Sequence, residues 1–561
     1  ERERGITILA KCASVEWNNI RINIIDTPGH SDFGGEVERV MQMVDGALLL
    51  VDASEGPMPQ TKFVTSKALQ IGLRPILVIN KIDKKDARPY EVQDEVFDLF
   101  TALDATDDQL DFPTIFVSAK HGYAGDSPEN RCKNMSLLFD LILNHVKSPN
   151  AISTLPFSML ITLHEADPYL GRILTGRIHS GGIKVNTTVH SLTNCGSVIE
   201  QGRVTKLLGF RGLDRIPITE ASAGDIVSIA GFSKTTVADT IASQDVMKPI
   251  PASPIDPPTV AMTFSVNDSP LAGTEGTKLT YRSIFNRLLR EVESNISIEV
   301  NEGLGRDTCE VSGRGELQLG ILIEQMRREG FELSVSCPRV LFQKNQNTGK
   351  HEEPLEEVLI YLDEEYTGAV VQSISQRKGD LIEMAPNTRG KTRIVFVVPS
   401  RGLIGYYSRF LTETRGSGVM HRTFSGYGAH KGKISGRHTG VLVSNSTGKS
   451  VAYSLWNLET RGSLFIGPGE KVYTGMIIGE NKHANDLDVN PLKAKQLTNM
   501  RASGSDENIR LTPHNKLSLE QSLAFICDDE LVEVTPKNVR IRKRYLHPNE
   551  RKKVMRSAKE S

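Results

Sequence analysis

The sequence has 561 residues, of which 39% are hydrophobic and 24% charged, with a formal net charge of −1. This length predicts several domains, and the composition is typical of a folded globular protein rather than a disordered one. No stretch of 18 uncharged apolar residues occurs, so no transmembrane helix and no membrane contact are expected. The six cysteines form no C-x-x-C pair, which argues against a zinc ribbon or a disulfide framework and favours a reducing compartment.

Charge is unevenly distributed along the chain. Residues 1–150 contain 16 Lys and Arg against 23 Asp and Glu, whereas residues 431–561 contain 22 against 14. A basic C-terminal region predicts a polyanionic partner, although a solvated surface would give the same composition. The tail at 540–559 is a candidate for contacts with RNA phosphates, while its low aromatic content argues against stacking on single strands.

Residues 1–150 alternate strand and helix patterns. Apolar strands are predicted at 21–26, 46–52, 75–80 and 114–118, with an amphipathic helix at 89–103. This alternation predicts a doubly wound parallel sheet, on which ligands bind at the carboxyl ends of the strands.

The rest of the chain divides into four regions, so the predicted fold class is multidomain α/β. Glycines cut residues 151–250 into short alternating segments, which predicts a β-barrel, and a proline-rich linker follows. Residues 258–345 and 352–430 each have the order strand, helix, strand, strand, helix, strand, which predicts two ferredoxin-like modules. Residues 431–561 are expected to form a mixed β domain with short helices.

The segment Asp26-Thr27-Pro28-Gly29-His30 follows a predicted strand. The Asp26 carboxylate can hold Mg²⁺ through water, and Gly29 lets a backbone N–H approach a phosphate closely. Alone, this pattern is equally typical of an ordinary turn. Thr7, near the start of the chain, could supply a hydroxyl to Mg²⁺ and an N–H to a γ-phosphate in a loop that orders with triphosphate.

Two further motifs follow the next strands and favour a guanine site. In Asn80-Lys81-Ile82-Asp83, the Asp83 carboxylate can accept hydrogen bonds from the guanine N1–H and N2–H₂, a pair that adenine lacks. The Lys81 stem can lie over the base. In Ser118-Ala119-Lys120, backbone N–H groups can donate to guanine O6.

Together these motifs resemble the G domain of a translational GTPase, and five longer stretches resemble the BipA/TypA family in particular. Those stretches are TILA at 7–10, DFGGEVERV at 32–40, RGEL at 314–317, PSRGLIG at 399–405 and LTNMRASG at 497–504. The resemblance covers essentially the whole chain. It implies a G domain at 1–150, a translation-factor β-barrel at 151–250, elongation factor G-like modules at 258–345 and 352–430, and a family-specific C-terminal domain at 431–561.

One element of the family pattern is missing from the sequence. The phosphate-binding loop G-x-x-x-x-G-K-[ST] is expected upstream of Glu1, so the G domain is expected to be N-terminally truncated and this chain alone to bind GTP poorly. Gly448-Lys449-Ser450 has only the second half of that pattern, because Val443 stands where the first glycine belongs. This segment is predicted to be a hairpin turn.

The resemblance also implies roles for residues. The implied reaction is hydrolysis of GTP to GDP and phosphate with Mg²⁺ as cofactor, in which His30 positions the attacking water. Thr7 and Asp26 would serve Mg²⁺ and, with Gly29, the phosphates, and the guanine set would be Asn80, Lys81, Asp83, Ser118, Ala119 and Lys120. The implied partner is the ribosome, where a loop would approach ribosomal RNA or the tRNA acceptor end through Lys495, Asn499, Met500 and Arg501.

Three functional hypotheses follow. The first is a ribosome-dependent GTPase acting in translation or ribosome assembly under stress or cold. The second is a non-catalytic RNA- or ribosome-binding assembly factor in which GTP is only an occupancy switch, and the third and weaker one is a factor similar to LepA. A monomer is expected, in a bacterial cytoplasm or in an organelle matrix or stroma.

Overall fold

The structure is a computed structural model that describes residues 7–29, 33–103, 105–130, 132–149, 152–167, 169–252, 258–295, 297–303, 305–344, 349–386, 391–434, 437, 439–494 and 510–560. The chain folds into two compact units. The first comprises residues 1–256 and 292–297, and the second comprises residues 257–291 and 298–561.

The first unit begins with an α/β region. Its strands are β1 (Lys11–Trp17), β2 (Ile20–Asp26), β3 (Ala47–Asp52), β4 (Pro75–Asn80), β5 (Thr114–Ser118) and β6 (Tyr123–Gly125). Its helices are α1 (Gly34–Met41), α2 (Pro59–Gln70), α3 (Pro89–Ala102), α4 (Asp107–Leu110) and α5 (Ser136–His145).

The predicted doubly wound sheet is present over β3 to β6. Strands β3, β4 and β5 are parallel neighbours, and β6 pairs antiparallel with β5. Successive side chains of β4 enter different cores: Leu77 packs with residues of α3 on one face, whereas Ile76 packs with Ile142 of α5 on the other. Burial on both faces explains why these strands read as continuous apolar runs.

The prediction that 21–26 belongs to this parallel sheet is wrong for the described residues. The strand β2 pairs antiparallel with β1, from Lys11 opposite Asp26 to Trp17 opposite Ile20. This hairpin packs against α5, because the Trp17 ring lies 5.4 Å from that of Phe139. The sequence analysis missed β1.

The region predicted to be a β-barrel consists of strands with glycine-rich turns. These are β7 (Ser158–Asp167), β8 (Gly171–Ser180), β9 (Gly182–Lys184), β10 (Thr188–Leu192), β11 (Val198–Arg203), β12 (Lys206–Arg211), β13 (Asp214–Pro217), β14 (Glu220–Ser222), β15 (Ile226–Ala230) and β16 (Thr240–Ala242). Eight of them form one antiparallel sheet in the order β11-β10-β16-β7-β8-β15-β12-β13, and β9 pairs with β14. The sheet encloses a core that includes Met159, Leu174 and Ile229.

The second unit begins with the first predicted ferredoxin-like module. It contains β17 (Val260–Val266), α6 (Tyr281–Ser294), β18 (Glu299–Glu302), β19 (Thr308–Gly313), α7 (Glu316–Arg328) and β20 (Leu333–Ser336), followed by β21 (Arg339–Val340) and β22 (Gln343–Lys344). The strand order β18-β19-β17-β20 is that of a ferredoxin-like sheet, so the predicted element order is confirmed.

The second module repeats this arrangement. It contains β23 (His351–Asp363), a 3₁₀ turn (Glu364–Tyr366), α8 (Thr367–Gln376), β24 (Asp380–Pro386), β25 (Lys391–Pro399), α9 (Ser400–Leu403), α10 (Tyr406–Glu413) and β26 (Val419–Ala429). Strand β23 lies between β25 and β26, and β24 pairs with β25, which again gives the ferredoxin-like order. Its own core includes Ile360, Phe396 and Phe410.

The C-terminal part contributes β27 (Val441–Ser444), β28 (Gly448–Lys449), α11 (Ala452–Glu459), β29 (Gly462–Leu464), β30 (Lys471–Val472), β31 (Met476–Asn481), β32 (Leu487–Val489), α12 (Leu519–Phe525), β33 (Glu530–Val534), β34 (Val539–Lys543) and α13 (Pro548–Glu560). Strand β33 pairs with β20 from Leu333 opposite Val534 to Ser336 opposite Leu531. One eleven-stranded sheet therefore continues from the first module into the C-terminal part.

The predicted hairpin turn at Gly448-Lys449-Ser450 is wrong. Gly448 and Lys449 form β28, which pairs with β30, and the apolar residues after Ser450 begin α11 rather than a strand. The run Val451-Ala452-Tyr453 was ambiguous because a short apolar stretch fits either period.

Candidate functional site

The residues predicted to recognise guanine lie in two loops at one edge of the parallel sheet. Asn80 is the last residue of β4 and Ser118 is the last residue of β5. Because these strands are parallel neighbours, their carboxyl ends meet, and the structure brings both predicted sets together there.

Asn80 joins the two loops. Its side-chain Oδ1 accepts hydrogen bonds from the backbone N–H of Lys81 at 2.7 Å and of Ala119 at 3.1 Å. Lys81 has a left-handed backbone conformation with φ of 62°, which is costly for a residue other than glycine. With both lone pairs of Oδ1 engaged, the contact that Asn80 can offer a ligand is through Nδ2.

Asp83 is held by the neighbouring loop. The buried Ser118 donates from Oγ to Asp83 Oδ1 at 2.6 Å, and this bond is the main reason that the pKa of Asp83 lies below its usual value. His121 Nε2 lies 3.7 Å from Asp83 Oδ2. An ionised carboxylate accepts hydrogen bonds only, which suits the two N–H donors of a guanine edge.

A second carboxylate lies behind this loop, and the sequence analysis missed it. Asp52, at the end of β3, contacts Lys81 Nζ at 2.8 Å and Lys84 Nζ at 3.0 Å, and it accepts a bond from Ser54 N at 2.9 Å. Burial would raise the pKa of Asp52, but hydrogen bonds from Lys81, Ser54 and Lys84 outweigh burial and hold that pKa well below its usual value. The available signal was positional, because Asp52 ends a buried strand as Asn80 does.

The phosphate and metal candidates lie at the open end of the β1–β2 hairpin. Asp26 ends β2 opposite Lys11, the first residue of β1, and is exposed. Thr7 and Gly29 are half-buried in the segments that enter and leave the hairpin at this end. A hydroxyl and a carboxylate are hard oxygen donors, which fit Mg²⁺ that keeps waters and phosphate oxygens as its other ligands. Within the described ranges, no group of three or more His, Cys, Asp and Glu residues could hold a metal ion.

Several predicted site residues lie outside the described residues. They are His30 and the four RNA-binding candidates Lys495, Asn499, Met500 and Arg501.

Comparisons with known proteins bear on every part of this architecture. Residues 439–548 match the family described as TypA/BipA C-terminal domain. Proteins named large ribosomal subunit assembly factor BipA from Escherichia coli K12 and Salmonella typhimurium LT2 are each 50% identical over 561 residues, covering 100% of this chain and 92% of theirs. The chain belongs to the TypA/BipA family. A protein of the same name from Buchnera aphidicola (subspecies Baizongia pistaciae) is 49% identical over 562 residues.

The other matches agree with membership of the TypA/BipA family. Residues 1–148 match the elongation factor Tu GTP binding domain, residues 171–242 match elongation factor Tu domain 2, and residues 350–437 match the elongation factor G C-terminus. A crystal structure of a Thermus thermophilus protein aligns with a TM-score of 0.51 at 15% identity, covering 77% of this chain and 90% of that one. The chain therefore has a translation-factor GTPase architecture, and the match at 439–548 decides against a factor similar to LepA.

The basic C-terminal region of this TypA/BipA protein is less available than its composition suggests. Arg540 is paired with Glu275 at 2.6 Å and Arg542 with Asp268, and both arginines are buried or nearly so. Lys543, 2% exposed, contacts three carboxylates at 2.6 to 2.9 Å. These β34 cations stabilise the sheet, so the expectation of phosphate contacts throughout 540–559 is wrong for them. Among the α13 cations whose burial the structure describes, Lys552, Lys553 and Arg556 are exposed.

No helix among the described residues is long and apolar enough to cross a membrane.

Proposed function

We propose that this protein is a ribosome-dependent GTPase that hydrolyses GTP to GDP and phosphate and acts on the large ribosomal subunit. The observation that supports this most is 50% identity over the whole chain to proteins named large ribosomal subunit assembly factor. The hydrogen bonds that join the Asn80–Asp83 loop to the Ser118–Ala119 loop also support a guanine nucleotide as the ligand.

We propose that the loops after β4 and β5 bind the guanine base and that the residues at the open end of the β1–β2 hairpin bind Mg²⁺ and the phosphates. Asn80, Lys81, Asp83, Ser118, Ala119 and Lys120 would bind guanine. Thr7 and Asp26 would hold Mg²⁺, which supplies electrostatic stabilisation of phosphate charge when bound. Gly29 would approach the γ-phosphate through its backbone N–H, and His30 would orient the attacking water.

We also propose that the chain works as a monomer in a bacterial cytoplasm, with ribosomal RNA and the tRNA acceptor end near Lys495, Asn499, Met500 and Arg501. The bacterial origin of the relatives supports the cytoplasm over an organelle. We also propose five domains with the limits 1–150, 151–250, 258–345, 352–430 and 431–561. The third and the fifth of these share one sheet.

A finer proposal concerns affinity. The pattern G-x-x-x-x-G-K-[ST] occurs nowhere in the 561 residues, and this loop normally supplies the main phosphate contacts. We therefore expect this chain alone to bind GTP weakly. Isothermal titration of the purified chain with GTP and Mg²⁺ measures this, and tight binding would contradict it.

The deciding experiment is GTP turnover without ribosomes and with 70S, 50S or 30S particles. A ribosome-dependent GTPase releases phosphate faster with 70S and 50S particles. Co-sedimentation with 50S particles that depends on GTP, but without stimulated phosphate release, would support the occupancy-switch alternative, which the relatives' name as assembly factors favours. The absence of both turnover and co-sedimentation would refute the proposal.

A further inference from the structure

The exposed face of α11 carries the most accessible large aromatic ring of the C-terminal part. Trp456 is 49% exposed. It is one of two tryptophans in the chain. None of the ring contacts among the described residues involves it, whereas Trp17 packs on Phe139 and donates to Asp140 Oδ1 at 2.8 Å. Trp456 therefore presents an accessible aromatic face, which can stack on a planar ligand.

The same face is built as a small platform. Tyr453 precedes Trp456 by three residues and Thr460 follows it by four, so all three lie on one side of the helix. Asn457 Nδ2 donates to Tyr453 O at 3.0 Å. The opposite side is anchored in the core by the buried residues Leu455 and Leu458. The aromatic side therefore has a rigid support.

Cations surround the C-terminal end of this platform. Lys482 donates from Nζ to the carbonyl oxygen of Thr460 at 3.1 Å and from its backbone N–H to Arg461 O at 2.9 Å. Arg461, Lys482 and Arg510 are exposed. Glu459 lies beside them, and its carboxylate accepts the backbone N–H of Thr512 at 2.8 Å. Among these described residues, three cations stand against one acid.

We propose that Tyr453, Trp456 and the cations Arg461 and Lys482 form a binding surface for unpaired nucleotides of an RNA, with Trp456 stacking on a base. An aromatic ring stacks on any base, and nearby cations hold the backbone phosphates, which is the usual chemistry of single-strand recognition. This inference rests on the proposed function, because it names the part of the ribosomal partner that this surface contacts. It assigns base stacking to α11, because the aromatic-poor tail offers phosphate contacts only.

The spectroscopic test uses the full chain with Trp17→Phe, so that all tryptophan fluorescence comes from residue 456. Titration with a 12-nucleotide oligo(rA) should quench this fluorescence in a saturable manner. The midpoint should move to higher RNA concentration as salt rises, because phosphate contacts release counterions. No quenching at RNA concentrations that saturate binding would overturn the stacking role.

Affinity is measured separately by anisotropy of fluorescein-labelled oligo(rA). Trp456→Ala should weaken binding about 5- to 100-fold, whereas Trp456→Phe should retain most of the affinity because a ring remains. Lys482→Ala should flatten the salt dependence by about one phosphate contact. Tyr545→Ala is the matched control, since Tyr545 is a 40% exposed aromatic in the same region. Equal loss in Tyr545→Ala, or none in Trp456→Ala, would refute the assignment.

Ribosome co-sedimentation of the Trp17→Phe protein separates this inference from the proposed function. Ribosome binding with no effect of RNA on residue 456 would refute the stacking surface and leave the function intact. Weaker co-sedimentation after adding Trp456→Ala to this protein, with no quenching of residue 456 by oligo(rA), would mean that α11 contacts a protein instead. Loss of all ribosome binding would refute the proposed function itself.

Discussion

At the scale of single residues, the contacts of Asp83 lead to a prediction about nucleotide preference. Its carboxylate is oriented by Ser118 at 2.6 Å and ionised, so it would accept both N–H donors of guanine. Asp83→Asn places an amide donor where the xanthine O2 would lie. We expect nucleotide preference to move from GTP toward xanthosine triphosphate by at least about 100-fold, because unpaired polar groups in a built site are penalised strongly.

Competition between the two nucleotides in ribosome-stimulated turnover measures this change. Asp86→Asn is the matched control, because it removes the same charge from an exposed position three residues away. If Asp83→Asn kept its preference for guanine, Asp83 would not be the base-reading residue.

His30→Ala is the second residue-level prediction and concerns the phosphate end. Nucleotide affinity should stay nearly intact while ribosome-stimulated turnover falls about 10²–10⁴-fold, because a positioned water-orienting group is lost. The comparison variant is His121→Ala, at the base end and 3.7 Å from Asp83, which should change affinity more than turnover. A fall of less than tenfold in His30→Ala would make His30 a bystander.

At the scale of elements, Glu200 ties β11 to the loop that follows β15. Its carboxylate accepts backbone N–H groups from Ser233, Lys234 and Thr235, with Lys234 at 2.7 Å. Burial would raise the pKa of Glu200, but the bonds from Thr235, Lys234 and Ser233 outweigh it and lower the pKa from 4.5 to about 2. The carboxylate therefore stabilises the fold above pH 4.5, and this stabilisation is lost as pH falls toward 2.

Glu200→Gln should cost roughly 1–3 kcal/mol of local stability at neutral pH, after allowance for solvent screening. The difference from wild type should shrink as the pH falls from 4.5 to 2. Hydrogen exchange of peptides covering 226–242, compared between the two proteins at each pH, measures it. Glu220→Gln, whose ion pair with Lys184 is exposed, should show no such pH dependence, and a pH-independent difference for Glu200→Gln would contradict the charge argument.

The elements that sequence reasoning predicted are those with a local signature. The two ferredoxin-like modules were recoverable because their helices and strands differ in hydrophobic period. The β1–β2 hairpin and the pairing of β20 with β33 could not be predicted from the sequence. Strands β20 and β33 are about 200 residues apart, and the hydrophobic pattern of a strand does not indicate which other strand it pairs with.

Sequence patterns also predicted local features of the candidate site better than contacts between distant segments. The residue types at strand ends indicated the guanine loops, because parallel strands bring their carboxyl ends together. Composition also indicated a basic C-terminal region, but it could not show that Arg540, Arg542 and Lys543 face carboxylates from Glu275, Asp268 and Asp486 in distant segments. Charge counting treats a buried ion pair and a free surface cation alike.

At the scale of the whole molecule, this burial changes how the basic region should be tested. Deleting residues 431–561 would remove β33 and leave the edge of β20 that pairs with it exposed. An exposed strand edge promotes aggregation, so lost ribosome binding would be ambiguous. Point substitutions on α13 avoid this, because Lys552, Lys553 and Arg556 are exposed.

Replacing all three of these residues with alanine should weaken ribosome binding and reduce its salt dependence by about one unit of log Kd per log salt for each phosphate that is no longer bound. Nucleotide binding should not change, since every proposed nucleotide-binding residue precedes residue 121. The measurement is ribosome co-sedimentation over a salt series. The control is a triple alanine variant of exposed lysines in the first unit, Lys147, Lys206 and Lys248, which removes equal charge. Equal affinity and salt slope in the α13 variant and wild type would show that α13 is a solvated surface and that other parts of the protein hold the ribosome.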